Sequence, residues 1–381
     1  MAVGAQDAPS GDFTEIPSAI GHLTLGFGHS RDCSRTIRAN ALGKKSMEPV
    51  RIAYIGCGAH ASRNLVPCVF YAPVELVGLC DLVEDRARAV ATKIGCREIY
   101  TDYGRLLEVE RLEGVIVAVP PQAVLAILRD ALAAAKHVLL EKPPGATLEE
   151  AKEMARLAAG SDRVVQVGLN RRFAPGYRRA RAIIREGGIG EVTHYLGKYS
   201  VGHHPDITGA WPWLRDQAIH QLDLLRYLAG EVEEVTALLN DRDGRITSDA
   251  LVRFANGAVG ILTCSEQYGW NKPNEYIEVS GQGRWLSVED TIHVTQHPAT
   301  SFEMEPILGD EPSLRWEPSM ALPRSRSLSL QGYANELAAF AEAIRGNRFD
   351  GAPYIADAWK SLRLAWALHQ SNGKAVRPED F

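Results

Sequence analysis

Three short stretches of this chain carry residue types whose spacing could do chemistry. Asp216, His220 and Asp223 fall within WPWLRDQAIHQLDLLRYLAG at residues 211–230. On a helix, residues four apart neighbour each other, so Asp216 would lie beside His220, with Asp223 one turn further on. A histidine with an ordinary pKa of about 6.5 can take a hydroxyl proton near neutral pH, and a carboxylate beside it fixes its tautomer and supports the cation. The plain alternative is a solvated surface pair. Lys142 stands in Glu141-Lys142-Pro143-Pro144, directly after the apolar run KHVLL at 136–140. A lysine fixed by prolines at a strand's carboxyl end would face a cleft, where its ammonium can hydrogen-bond a substrate oxygen and stabilise charge developing there. Glu141 would orient that lysine or meet a cofactor, and the Lys142–Pro143 bond is a place where a cis peptide is allowed.

The third stretch is VRIAYIGCGAHA at 50–61. It reads as a buried strand that ends in a G-x-G-x-x-A loop and leads into a helix at 61–71. Gly56 would permit the tight turn, Gly58 the approach of backbone amides to a pyrophosphate, and Ala61 close packing of helix on strand. The amides and the helix N-terminus favour negative charge. Asp81 ends the next apolar run, VELVGLC at 74–80. A carboxylate there would accept both ribose hydroxyls and repel a 2′-phosphate, which points to NAD. Its plain role would be to cap a helix over 84–94.

These residues need elements to position them. Strands at 112–119, 136–140 and 163–167 alternate with helices at 122–135 and 148–159, the pattern of a parallel sheet with helical crossovers. Pro120, at a strand's carboxyl end, would shape the nicotinamide pocket or simply start a helix. After residue 168 the pattern changes. A helix at 174–187 is followed by strand-like segments at 192–201, 232–240, 246–254, 258–266, 275–280 and 285–288. Asn256-Gly257 marks a hairpin between two of them. Helices at 332–345 and 354–371 close the chain. The expected fold class is α/β: a Rossmann dinucleotide-binding domain at 47–168, then an α+β domain at 169–381 with a large, mostly antiparallel open sheet. Residues 1–46 lack a sustained period and read as a flexible extension.

Composition bounds the function. The 381 residues hold about two domains, and the net charge of -5 offers no basic field for nucleic acid or anionic membrane. No apolar run approaches the roughly 20 residues of a membrane helix. The six cysteines form no C-x-x-C pair, which suggests reduced thiols and a cytoplasmic address. His203 and His204 are adjacent loop residues without a clustered third ligand, so no metal is expected.

Taken together, G-x-G-x-x-A with Asp81, then Glu141-Lys142-Pro143, then Asp216-x-x-x-His220-x-x-Asp223 resembles the Gfo/Idh/MocA oxidoreductases over about residues 50 to 381. The resemblance implies NAD(H) or NADP(H) as cofactor, sugars, cyclitols or related polyols as substrates, and a homo-oligomer, dimer or tetramer, joined through the open sheet. It implies that Lys142 polarises the reacting oxygen, that His220 is the acid/base, and that Asp216 orients His220. Asn170 and Arg172 match the family's N-x-R-F turn near the substrate. Trp211 and Trp213 would stack on a sugar face or pack in the core, and Asp223 would extend the substrate site. The family also contains NAD-dependent glycosidases and a non-catalytic sensor. Three departures bear on the substrate. Ala210-Trp211-Pro212-Trp213 stands where Gly-Gly is frequent, Leu125 where histidine is common, and Ala218 where glycine is usual.

Overall fold

A computed structural model describes residues 48–271, 273–298, 313–318 and 326–381, so the extension expected at 1–46 lies outside the described residues. β1 (Val50–Ile55) is a run of apolar residues almost wholly buried, as a central parallel strand must be. The helical segment after it is irregular, a π turn at Ala61–Leu65 passing into a 3-10 turn at Val66–Phe70. Pro67 has no N–H with which to continue a regular ladder.

β2 (Val74–Cys80), α1 (Glu84–Ile94), β3 (Ile99–Tyr100), α2 (Tyr103–Leu107), β4 (Gly114–Val117), α3 (Pro121–Ala133), β5 (His137–Leu140), α4 (Leu148–Ala159) and β6 (Val165–Val167) follow in turn. The six strands pair in parallel in the order β3-β2-β1-β4-β5-β6. This is the doubly wound dinucleotide-binding order, with the crevice at the strands' carboxyl ends where the order reverses between adjacent β1 and β4. β3 and α2 are too short to give a sequence period, and the sequence reading passed over both.

A 3-10 turn at Asn170–Phe173 and α5 (Pro175–Arg185) lead to the second layer. It comprises β7 (His194–Ser200), α6 (Ala210–Trp213), α7 (Ile219–Ala229), β8 (Val232–Arg242), β9 (Arg245–Phe254), β10 (Val259–Ser265), β11 (Asn274–Gly281), β12 (Arg284–Glu289), β13 (His293–His297) and β14 (Leu314–Trp316). The eight strands form one sheet in the order β14-β13-β12-β11-β7-β10-β9-β8, antiparallel except for β7 with β10. Burial alternates along β9 and β11, so one face of the sheet meets the core and the other faces outward.

α8 (Arg326–Leu330), α9 (Tyr333–Ile344) and α10 (Ile355–Ser371) end the fold. α9 and α10 return to the first sheet. Leu337 and Phe340 share a core with Ile52, Tyr54 and Ile116, while Ile355, Ala358 and Leu362 share one with Val117, Val138 and Val167. A parallel sheet needs cover on both faces. Here much of that cover comes from residues beyond the second sheet, so the core of the Rossmann layer does not end at residue 168.

Candidate active site

The glycine loop is shaped by what surrounds each glycine. Gly56 has φ of 99°, and a Cβ there would lie 2.1 Å from the carbonyl oxygen of Ala118, just past β4. Only glycine fits such a position. A Cβ on Gly58 would meet nothing within 4 Å, so the space above the loop is open. Ala61 is buried beneath it. Asp81 braces the loop from the end of β2: Oδ2 accepts from the Cys57 amide at 2.8 Å and Oδ1 from the Val83 amide at 2.9 Å. A carboxylate has about four acceptor sites, so capacity for ribose hydroxyls remains. Loop amides, open space over Gly58 and a carboxylate beyond it fit a dinucleotide. Pro120 is exposed at the crevice edge, immediately before α3.

β5 delivers Glu141 and Lys142 to the same edge. Glu141 Oε2 accepts from the Lys142 amide at 3.0 Å, and Oε1 lies 3.3 Å from His60 Nε2. Gly168 packs so closely that a Cβ there would be 3.1 Å from the Glu141 carboxyl. The Lys142–Pro143 bond is cis. Thr147 caps α4 by accepting from the Glu150 amide at 3.2 Å, while Glu150 accepts from the Ala146 amide at 2.7 Å. This capping pair pins the loop that follows Lys142. Burial pushes the Lys142 ammonium below its ordinary value, against the opposing pull of Glu141 and Asp216.

The 211–230 segment is helical throughout but not regular, because a π turn at Leu214–Ala218 separates α6 from α7. The wider turn breaks the four-residue register on which pairing of Asp216 with His220 depends. The Asp216 carboxylate is instead held by Arg215, through Nε at 2.6 Å and Nη2 at 2.8 Å. Arg215 Nη1 also donates to the Ala146 carbonyl at 3.1 Å. The backbone of Asp216 faces the cleft, and its carbonyl accepts from Lys142 Nζ at 2.5 Å. His220 is half-buried, and its Nδ1 is enclosed without a partner. Burial, then the charges of Lys142, Arg171 and His60, hold the imidazole well below its ordinary pKa.

Other expected substrate residues lie elsewhere. Arg172 and Asp223 bind each other in the interior, through Nε–Oδ2 and Nη2–Oδ1 contacts of 2.6 Å each, and Ser361 donates to Asp223 at 2.8 Å. Asp357 lies 2.7 Å from both Arg172 and Arg226. This network joins α7 to α10 and leaves neither Arg172 nor Asp223 turned toward a substrate. Asn170 Nδ2 donates to the Gln331 carbonyl at 2.8 Å and ties its turn to the link between α8 and α9. Trp213 is fully buried and offers no ring face. Trp211 packs edge-on against Trp366 of α10, 4.8 Å between centroids.

Two residues near the chemistry, His60 and Arg171, were passed over in the sequence. His60 reaches Glu141, and its place inside the glycine loop was the available signal. Arg171 adjoins the expected Arg172 and forms an ion pair with Glu275 on β11 at 3.1 Å. His204 is held in its loop by fully buried Glu266, whose Oε1 accepts from the His204 amide at 3.0 Å, and by Trp270, 4.6 Å ring to ring. Among the described residues, no three His, Cys, Asp or Glu side chains are arranged to hold a metal, and no helix is long and apolar enough to cross a membrane.

A doubly wound sheet with this loop and acid, facing a lysine and a histidine across a crevice, defines a nicotinamide-dependent oxidoreductase. Residues 50–169 match the oxidoreductase family with an NAD-binding Rossmann fold, and residues 177–287 match the GFO/IDH/MocA C-terminal domain. The chain belongs to the Gfo/Idh/MocA family. It is similar to the NAD(+)-dependent scyllo-inositol 2-dehydrogenase of Bacillus subtilis, 27% identical over 85% of this chain and 93% of that protein. The myo-inositol 2-dehydrogenase of Thermotoga maritima is 28% identical over 61% of this chain and 73% of its own length. The structure of a levoglucosan dehydrogenase with NADH and L-sorbose shares the fold, with a TM-score of 0.74 at 21% identity over 87% of this chain and 99% of that one.

Proposed function

We propose that the protein transfers hydride between NAD and a CH–OH group of a sugar, sugar derivative or cyclitol. The observation that carries this reading is the convergence of Lys142 and His220. Lys142 Nζ is anchored on the Asp216 carbonyl one turn before His220, at the crevice edge to which Glu141 and the glycine loop belong. When bound, the nicotinamide accepts the hydride. Lys142 uses one of its three donors on Asp216 and has others for the reacting oxygen, where it stabilises negative charge. His220, kept neutral through neutral pH, takes the hydroxyl proton as general base. Asp216 contributes its carbonyl, which fixes Lys142. Asp81 favours NAD, because a 2′-phosphate would meet its carboxylate.

The relatives' names, which include inositol, apiose and levoglucosan dehydrogenases, support a polyhydroxylated substrate. Exposed Leu238, Leu251, Val259 and Ile261 on β8 to β10 support a homo-oligomer joined through the second sheet. The test is absorbance at 340 nm with NAD and a panel of sugars and polyols, beside His220→Ala. NADH formation that the variant loses supports the reading. Glycoside cleavage without net NADH, or cofactor binding without turnover across the panel, would replace it.

A further inference from the structure

Arg215 stands where the two layers of the fold meet, and all three of its side-chain nitrogens are engaged. Nε and Nη2 hold the Asp216 carboxylate at 2.6 and 2.8 Å, and Nη1 donates to the Ala146 carbonyl at 3.1 Å. Consecutive side chains on a regular helix diverge. These two meet within the π turn at Leu214–Ala218. The pair is not a solvated one, since the Arg215 side chain is 14% exposed and that of Asp216 22%. Such a fork is directional as well as attractive, because two parallel N–H groups fix the plane of the carboxylate.

The consequence falls on Lys142. With its carboxylate turned to Arg215, Asp216 offers its main-chain carbonyl to the crevice, and Lys142 Nζ donates to it at 2.5 Å. Ala146, at the other end of the guanidinium, lies in the loop that follows Lys142 and leads into α4. Arg215 therefore ties the loop that carries the lysine to the turn that carries its acceptor. The Thr147 and Glu150 cap fixes the same loop to α4 but reaches nothing in the second layer. A neutral carbonyl anchors an ammonium while leaving its charge and two of its donors for another oxygen. A free carboxylate in its place would pair with the ammonium and compete with that oxygen.

We infer that Arg215 is a positioning residue, which withdraws the Asp216 carboxylate and tethers Ala146 so that a carbonyl holds Lys142 where the reacting oxygen arrives. This rests on the hydride-transfer reading of the same cleft. Arg215 acts through Asp216 and Lys142 and moves no proton itself.

The test compares the full chain with Arg215→Met, Arg215→Lys and the double variant Arg215→Met with Asp216→Asn. NADH formation from a polyol oxidised by the parent gives kcat and KM. Competitive labelling of amines with isotopic acetic anhydride across pH, read by mass spectrometry on the Lys142 peptide, gives the Lys142 pKa without turnover. The titratable and charged groups around Lys142 are Glu141 beside it, Asp216 and Arg215 on the π turn, His220 on α7 and His204 in its loop. In Arg215→Met the freed Asp216 carboxylate should raise the Lys142 pKa by about one unit, and the double variant should abolish that rise. In the same single variant kcat should fall about a hundredfold. KM and NADH affinity should stay within about threefold of the parent, the split expected when the loss is confined to the transition state. Arg215→Lys, which can hold the carboxylate but not Ala146 as well, should keep the parent pKa and recover part of kcat. An unmoved Lys142 pKa in Arg215→Met, a rise that persists in the double variant, or a kcat within about threefold of the parent overturns the inference and leaves the hydride reading standing. NADH affinity and Tm that fall together with kcat would make Arg215 a structural brace and also overturn it. A parent that forms no NADH from any polyol, with the labelling shifts as expected, retains the placement of Lys142 by Arg215 and removes the dehydrogenase reading.

Discussion

Gly56 and Gly58 are two positions apart in one loop, and a methyl group added to each should fail in a different way. Gly56→Ala places a side chain at φ of 99° and a Cβ 2.1 Å from the Ala118 carbonyl oxygen. The left-handed conformation costs about 1–2 kcal/mol, and overpacking against an atom that cannot rotate aside adds about 1–3 kcal/mol. The variant should lose about 2–5 kcal/mol of stability by these two terms. Gly58→Ala meets nothing within 4 Å, so its stability should stay within about 0.5 kcal/mol of the parent. Its methyl instead fills the space where a pyrophosphate would approach the loop amides. Losing one hydrogen bond to a charged group, about 1.5–3 kcal/mol, weakens NADH binding about ten- to hundredfold. Thermal melting and titration of NADH fluorescence, the latter below both melting points, separate the two effects. A Gly58→Ala protein that binds NADH within twofold of the parent, or melts as low as Gly56→Ala, would refute the reasoning.

The pH profile of kcat/KM should be broad. Its acidic limb should lie below 6.5, because His220 is held down by burial and then by Lys142 and Arg171. Its basic limb should lie below 10.5, because burial lowers Lys142. Lys142→Met should abolish the basic limb, and His220→Asn should cost roughly 10²–10⁴ in rate. Asp223→Asn breaks a buried ion pair and should destabilise the fold by about 3–5 kcal/mol, which calorimetry would read as a fall in Tm on the order of 10 °C. Glu336 on α9 is buried, its Oε1 has no partner, and burial followed by Glu141 and Asp223 raises its pKa well above 4.5. A raised carboxyl contributes stability below its unfolded pKa and loses it as pH climbs. Glu336→Gln should therefore raise Tm at pH 8, by removing a penalty of about 1–3 kcal/mol, with little effect at pH 4. Equal Tm for the two proteins at pH 8 would contradict this.

Most sheet strands were legible because buried parallel strands are short apolar runs and the outer ones alternate, patterns that need no tertiary knowledge; β3, β13 and β14, short or polar, gave no such signal. Gly56, Gly58 and Asp81 were legible for the same local reason, since loop and acid flank two such runs. The site beyond them depended on a helical register that the chain does not keep. The spacing of Asp216 and His220 presumes 3.6 residues per turn, and the π turn at Leu214–Ala218 shifts one against the other. Nothing in LRDQA announces that turn. Arg172 and Asp223 looked like polar groups for a substrate because their partnership spans the turn after β6 and α7, a distance that sequence spacing does not reveal. Trp213 gives no outward sign of full burial either, because an indole suits a core and a sugar face equally.

The return of α9 to the first sheet has a consequence for how the molecule is made. Ribosomes release the dinucleotide-binding strands first, yet Phe340, which covers Ile52, Tyr54 and Ile116, is translated only after the whole second sheet. At ordinary elongation rates the interval is on the order of ten seconds. Throughout it, one side of the nascent Rossmann layer lacks its native apolar cover and is available to a chaperone. A chain truncated before Tyr333 would retain every residue of the glycine loop while lacking the helix that encloses the sheet behind it. The apolar cover of the first sheet is thereby the last part of the fold to be translated.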